Sequence, residues 1–159
     1  MKRRNLLGSL LGAGILPRVG RAAGSPEPAI EPLVLTEEQW RERLDPQAFR
    51  VLREEGTEPP GSSPLDREKR KGTYVCAGCA LPLFTSEMKY DSGTGWPSFF
   101  THLPGALGTK LDFWLVVPRT EYHCARCGGH QGHVFDDGPP PTGKRYCNNG
   151  VALRFEVAS

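Results

Sequence analysis

Long apolar runs are scarce in this sequence of 159 residues. The best of them, residues 6–16, spans eleven positions and is broken by small side chains. A helix needs about 20 apolar residues to cross a bilayer, so no stable span is expected in the mature chain. An excess of one charge is lacking as well. Lys and Arg number 20 against 18 Asp and Glu, yet Lys2, Arg3, Arg4, Arg18 and Arg21 all precede the first acidic residue, Glu27. Without that end 15 basic side chains face 18 acidic ones, which removes the basic footprint that nucleic acid requires. Cysteines are few and odd in number, five in all, so a fully paired disulfide framework is excluded. No internal repeat is visible apart from two C-x-x-C pairs.

What is abundant is glycine, 19 residues, and proline, 15 residues, which favours turns and short strands over a helical bundle. The length suits one globular domain with a removable end. Met1-Lys2-Arg3-Arg4-Asn5, the apolar run after it and Arg21-Ala22-Ala23-Gly24-Ser25 have the three parts of an export signal. The paired Arg3-Arg4 gives it a twin-arginine character, which predicts export to the periplasm, with an uncleaved anchor as the alternative. Such export moves folded chains, so thiolates could load metal before meeting an oxidising compartment. Residues 1–24 are thus read as signal, 25–35 as linker and 36–159 as the domain.

Thr36-Glu37-Glu38-Gln39 reads as a capping box before Trp40 and Leu44, and Asp45-Pro46 as the cap of a second short helix closed by Gly56. Residues 59–71 read as an exposed loop. From Gly72 onward strands are predicted at 73–75, 113–117, 120–123 and 151–157. The last has Val151, Leu153, Phe155 and Val157 on one face, with Cys147 near its start.

Cys76-Ala77-Gly78-Cys79 and Cys124-Ala125-Arg126-Cys127 each put two sulfurs on one tight turn, with Gly78 and Gly128 nearby. Together they are the four ligands of one structural zinc with no open position. The alternative, two strained and redox-active disulfides, suits this pattern less well. Cys147 is then left over. It lies downstream of Gly129-His130-Gln131-Gly132-His133-Val134-Phe135, a run able to tune a thiolate. A lone Cys is often a buried small hydrophobe, histidines in a glycine-rich loop often serve as turn residues, and Trp96 alone could be a core aromatic.

Three segments taken jointly are more specific: Asp91-Ser92-Gly93-Thr94-Gly95-Trp96-Pro97-Ser98-Phe99, residues 129–137, and Arg145-Tyr146-Cys147-Asn148-Asn149. With the two C-x-x-C pairs in the same order, and with the opening Thr-Glu-Glu-Gln-Trp and Gly56-Thr57-Glu58-Pro59-Pro60, the chain resembles the methionine-R-sulfoxide reductase family, type B, from about Thr36 to Phe155. The resemblance implies a mainly β, β-tent-like fold of antiparallel sheets with short amino-terminal helices, stapled by one zinc on four cysteines. It implies that Cys147 is the nucleophile that becomes a sulfenic acid, His130 and His133 the active-site histidines and Asn149 a further catalytic residue. Trp96 would be the wall of a methyl pocket, Phe135 part of the substrate site, and Asp137 with Arg145 a supporting ion pair. Cys76, Cys79, Cys124 and Cys127 would hold the zinc.

The chemistry makes matching demands. A sulfoxide oxygen needs a proton, which histidine can donate near neutral pH, and Arg145 with a protonated histidine favours thiolate over thiol. The chain departs from the family pattern at three places. Thr94 stands where many members carry a resolving cysteine, Asn148 where an apolar residue is usual, and Gly150 where Ser is usual. With four sulfurs on zinc, oxidised Cys147 has no internal partner, so a thioredoxin-like protein or small thiol is expected to reduce it. The expected substrate is oxidised methionine, R epimer, chiefly in proteins, handled by a monomer. Rival readings are a non-catalytic zinc-knuckle binding module and a thiol redox sensor on the same scaffold.

Overall fold

The computed structural model describes residues 30–113 and 118–159. The expected export signal lies outside the described residues. Residues 30–35 carry no helix or strand; they lean on the body of the protein through Ile30, Leu33 and Leu35, and the Leu33 N–H donates to the Arg126 carbonyl at 2.7 Å.

Two short helices follow, each where its cap dictates. Helix α1, Glu37–Arg43, starts on a complete capping box: the Thr36 hydroxyl accepts from the Gln39 N–H at 3.3 Å and the Gln39 side chain accepts from the Thr36 N–H at 2.8 Å. Helix α2, Pro46–Glu54, starts on Asp45, whose carboxylate accepts from the N–H groups of Gln47 and Ala48. The residue that ends α2 in left-handed conformation is Glu55, at φ 55°, and not the expected Gly56. Trp40, Phe49, Val51 and Leu52 face inward from the two helices and are buried. The loop after them contains one 3-10 turn, Pro64–Arg67.

Strands predominate from Gly72 onward, as the residue signals predicted, and they pair antiparallel, as the resemblance implied. Strands β1 (Gly72–Cys76), β2 (Pro82–Thr85) and β9 (Leu153–Val157) form one sheet in the order β2-β1-β9. The second sheet holds β3 (Lys89–Tyr90), β4 (Ser98–Phe99), β5 (Leu107–Asp112), β6 (Arg119–Cys124), β7 (His130–Phe135) and β8 (Arg145–Asn148), in the order β3-β4-β8-β7-β6-β5. Aromatics fill the core: Phe84 stacks on Phe99 at 4.0 Å between centroids, and Tyr122 meets Tyr146 edge to face at 5.3 Å.

Several strand expectations shift. Of the strand predicted over 113–117, Phe113 is exposed and outside any strand, just beyond the end of β5, and residues 114–117 lie outside the described residues. The last strand begins at Leu153, because Val151 belongs to a 3-10 turn, Gly150–Ala152, and Val157 at its far end is exposed. Cys147 is therefore in β8, in the larger sheet, and not at the start of the final strand. This 3-10 turn, which begins after Asn149, carries the chain from one sheet to the other.

Candidate active site and cysteine cluster

Strand register builds the site. Across β6, β7 and β8, Glu121 lies opposite His133 and His133 opposite Cys147; on the far side Cys147 lies opposite Ser98 of β4. Opposed residues share a face and so do residues two apart, so Arg119, Phe135 and Arg145 join Glu121, His133 and Cys147 on it. The alternate residues Tyr122, Val134, Tyr146 and Asn148 point the other way, into the core. Gly132 is required between them, since a Cβ there would meet the Cys147 carbonyl oxygen at 1.9 Å.

The two histidines are on a strand and not in a glycine-rich loop. Three apart, they should point to opposite faces, but the register between β6 and β7 slips: Tyr122 opposes Gly132 while His123 opposes His130. Gln131 is the extra residue of a bulge, which brings the His130 ring to 5.4 Å from the His133 ring.

Each imidazole has its own carboxylate. His133 hydrogen-bonds through Nε2 to Asp112 Oδ2 at 2.7 Å, and Asp112 also takes a guanidinium N–H of Arg119 at 2.8 Å. Burial draws the His133 pKa below the usual imidazole range, against the pull of Asp112. His130 bonds through Nδ1 to Glu121 Oε1 at 2.8 Å and is 2% exposed; its Nε2 has no hydrogen-bond partner among the described residues. Burial pushes the Glu121 carboxyl up, but His130, Lys110 and His123 together hold it below the usual range.

A cavity of about 290 Å³ opens over Cys147, lined among others by Thr94, Trp96, Arg119, His133, Phe135 and Arg145. Of the residues expected at the site, it brings together Cys147, His133, Trp96, Phe135, Arg145 and Asn149. His130 is not among its lining, and neither is Asp137, whose side chain is 61% exposed and grips Arg145 through two 2.8 Å hydrogen bonds. The Arg145 guanidinium also lies over the Phe135 ring at 4.4 Å. Burial raises the Cys147 thiol above its ordinary pKa; the Arg145 charge and hydrogen bonds from Thr94 and Arg145 work in the opposite sense.

The cavity wall is tied down by a residue that the motif analysis left without a role, Glu58. Its carbonyl accepts the Trp96 indole N–H at 3.1 Å, its N–H donates to Asn149 Oδ1 at 3.0 Å, and its buried carboxylate accepts the N–H groups of Gly150 and Val151. Asn149 in turn donates from Nδ2 to the Gln131 carbonyl at 3.0 Å. Asp112 and Arg119 were also missed: they face each other across β5 and β6, a relation that no local motif signals.

Two departures from the family pattern acquire partners. Asn148, fully buried, accepts the Tyr122 hydroxyl at 2.8 Å and donates to Gln131 Oε1 at 3.3 Å and to the Asn149 carbonyl at 2.8 Å. Gln131 then donates from Nε2 to the sulfur of Cys76 at 3.5 Å. Gly150 packs where a Cβ would meet the Ser63 hydroxyl at 2.0 Å, so the Ser63 side chain already fills the space a serine here would need.

The two C-x-x-C turns close on each other at the ends of β1 and β6. The four sulfurs lie within 4.8 Å of one another, with Cys76 and Cys127 3.7 Å apart and Cys79 and Cys124 3.4 Å apart. All five cysteines are free, and the short sulfur contacts run between the turns and not within them, against the disulfide alternative. Ligands at about 2.3 Å in a tetrahedron stand roughly 3.8 Å apart, so the set fits a tetrahedral thiophilic ion. Hydrogen bonding among the sulfurs pulls the Cys76 and Cys124 pKa values up and those of Cys79 and Cys127 down. The left-handed residue beyond each turn is Gly128 in one, at φ 67°, and Ala80 in the other, at φ 60°.

Comparison with known proteins agrees with this geometry. A family model described as the SelR domain matches residues 44–157. The peptide methionine sulfoxide reductase MsrB of Agrobacterium fabrum is 52% identical over 118 residues, which cover 74% of this chain and 87% of that protein. MsrB of Methanosarcina barkeri is 49% identical over 123 residues, 77% of this chain and 87% of that one. MsrB of Leptospira interrogans is 47% identical over 122 residues, 76% and 93%. With the domain matched across both cysteine turns, β7 and β8, the chain belongs to the SelR family, the methionine-R-sulfoxide reductases of type B.

Proposed function

We propose that this protein reduces the R epimer of methionine sulfoxide, chiefly within proteins, with Cys147 as nucleophile. The observation that carries the reading is a single cavity in which a cysteine, an imidazole and an indole converge: Cys147, His133 and Trp96. The Cys147 thiolate gives its electron pair to the sulfoxide sulfur, which is reduced by two electrons and leaves as the thioether of methionine. The oxygen passes to Cys147, and the proton that His133 supplies ends on the new sulfenic hydroxyl. Trp96, held by Glu58, receives the S-methyl group on a flat face. A proton donor fixed by Asp112 and a methyl wall fixed by Glu58 can present one configuration at sulfur to Cys147, and this supports choice of the R epimer.

Roles then divide. His133 is the acid and His130, buried beside it, sets its surroundings; Arg145, positioned by Asp137, favours the thiolate; Phe135 completes the wall; Asn149 holds the turn after Cys147. An external thiol, a thioredoxin-like protein or a small thiol, attacks the sulfenic sulfur and releases water; a second thiol frees Cys147. Zinc is the ion proposed for the four-cysteine set: it supplies only structural bonding there, since four thiolates leave no open position. The expected route is export to the periplasm on a twin-arginine signal, and the expected state a monomer. No helix among the described residues is long and apolar enough to cross a membrane.

The decisive assay offers a peptide carrying racemic methionine sulfoxide and excess dithiothreitol to the protein and to Cys147→Ser, and resolves the epimers. Loss of the R epimer with the first protein alone is expected. No loss, or equal loss with the variant, would end the reading in favour of a redox sensor or a binding module.

A further inference from the structure

Where many family members place a resolving cysteine, Thr94 lines the cavity that opens over Cys147, and its hydroxyl favours the thiolate against burial. That hydroxyl is not isolated. Thr94 Oγ1 lies 2.8 Å from Ser92 Oγ, and Ser92 Oγ lies 2.7 Å from Ser98 Oγ. Ser98 is fully buried, lies directly across the sheet from Cys147, and is 3.0 Å from the Trp96 carbonyl oxygen. The loop can bring these three hydroxyls into one chain because Gly93 and Gly95 adopt φ of 70° and 85°. A side chain at Gly95 would also meet the Gly61 backbone nitrogen at 2.9 Å.

We propose that Ser98, Ser92 and Thr94 form a reversible hydroxyl chain that stabilises the Cys147 thiolate, Thr94 touching the reacting sulfur and the two serines orienting Thr94. Each hydroxyl has one proton and accepts at its oxygen, so the chain can run in either sense. With Cys147 ionised, Ser98 donates to Ser92, Ser92 to Thr94 and Thr94 to sulfur, and the bonds polarise one another. With Cys147 protonated, the thiol donates to Thr94 and the chain reverses to end on the Trp96 carbonyl. The sulfenic hydroxyl formed after oxygen transfer has the same acceptor in Thr94. A position that in other members closes a disulfide here favours the charged form of the unpaired sulfur, against the burial that raises its pKa. The proposal rests on Cys147 as the nucleophile.

Other groups face or act on the same sulfur and bound the test: Arg145 of β8 with its partner Asp137, His133 opposite Cys147 on β7, Tyr122 of β6 and Tyr90 of β3. None of them is changed by editing the loop. The test is iodoacetamide alkylation of Cys147 across pH in the metal-loaded protein, followed by mass spectrometry of its peptide. Thr94→Val should move the midpoint up by about one pH unit, making alkylation about tenfold slower below it. Thr94→Ser should restore the wild-type midpoint, and Ser92→Ala, which leaves Thr94 in place but unoriented, should move it part of the way. The same midpoint in Thr94→Val as in wild type, with both proteins melting alike, would overturn the chain. So would a wild-type midpoint in Ser92→Ala, for the two serines. No sulfoxide is present, so failure here leaves the reductase reading standing, and failure of that reading leaves this result interpretable.

Discussion

Cys147 and His133 are tuned in opposite directions by the same burial. The thiol is raised, so its resting form is neutral; the imidazole is lowered, so its resting form is neutral as well. In the proposed mechanism the reactive pair, thiolate with imidazolium, is a minor tautomer of the resting pair. Its share is constant between the two pKa values, because each rise in thiolate is matched by a loss of imidazolium. We predict that kcat/KM for a methionine sulfoxide peptide is flat across neutral pH. It should fall only in acid below the ordinary imidazole value of about 6.5 and in base above the ordinary thiol value of about 8.5. Single-turnover rates from pH 5 to 10 test this; a narrow optimum at neutral pH would contradict it. Asp112 is the residue to vary beside it. Asp112→Asn removes the charge that pulls the His133 pKa up, so the acid limb should move to still lower pH.

At the scale of elements, Gln131 joins β7 to two sites. Its insertion turns His130 toward His133, and its side chain satisfies the otherwise anomalous Asn148 while touching the Cys76 sulfur. Asn148→Val alone should cost about 1–3 kcal/mol, because it strands the Tyr122 hydroxyl and Gln131 Oε1 in the core. Gln131→Leu added to it should recover part of that loss, a coupling that urea unfolding of all four proteins would measure. Strictly additive losses would show that the two side chains do not depend on each other. This is also where sequence reading stopped. The helices were legible because Thr36 and Asp45 are local signals acting within three residues. The sulfur cluster was legible because each turn is self-contained. The bulge, the pairing of Asp112 with Arg119 and the place of Cys147 in β8 depend on register between strands distant in sequence, which alternation within one strand cannot fix. Glu58 escaped notice for the same reason, since its partners lie near positions 96 and 150.

Across the whole molecule, the cysteine cluster fastens the β1 turn of the smaller sheet to the β6 turn of the larger one, with Trp40 of α1 close to Gly78 in the first turn. Folding and metal binding are therefore expected to be one event. Removing the ion with a strong chelator, or replacing Cys127 by Ser, should lower Tm by at least about 10 °C, and the loss of zinc and of structure should coincide. An unchanged melt in metal-free protein would refute a structural role for the ion. The cluster has a second effect, on accounting for oxygen. It commits four sulfurs to one another and leaves Cys147 among hydroxyl, imidazole, indole and guanidinium side chains. With those four held in the cluster, none of the other cysteines is left to take over the oxygen that Cys147 is proposed to acquire. Under the proposed mechanism, the protein deprived of thiol would be a reagent consumed one for one with its substrate and not a catalyst, and the supply of reductant around it would set the pace of every cycle after the first.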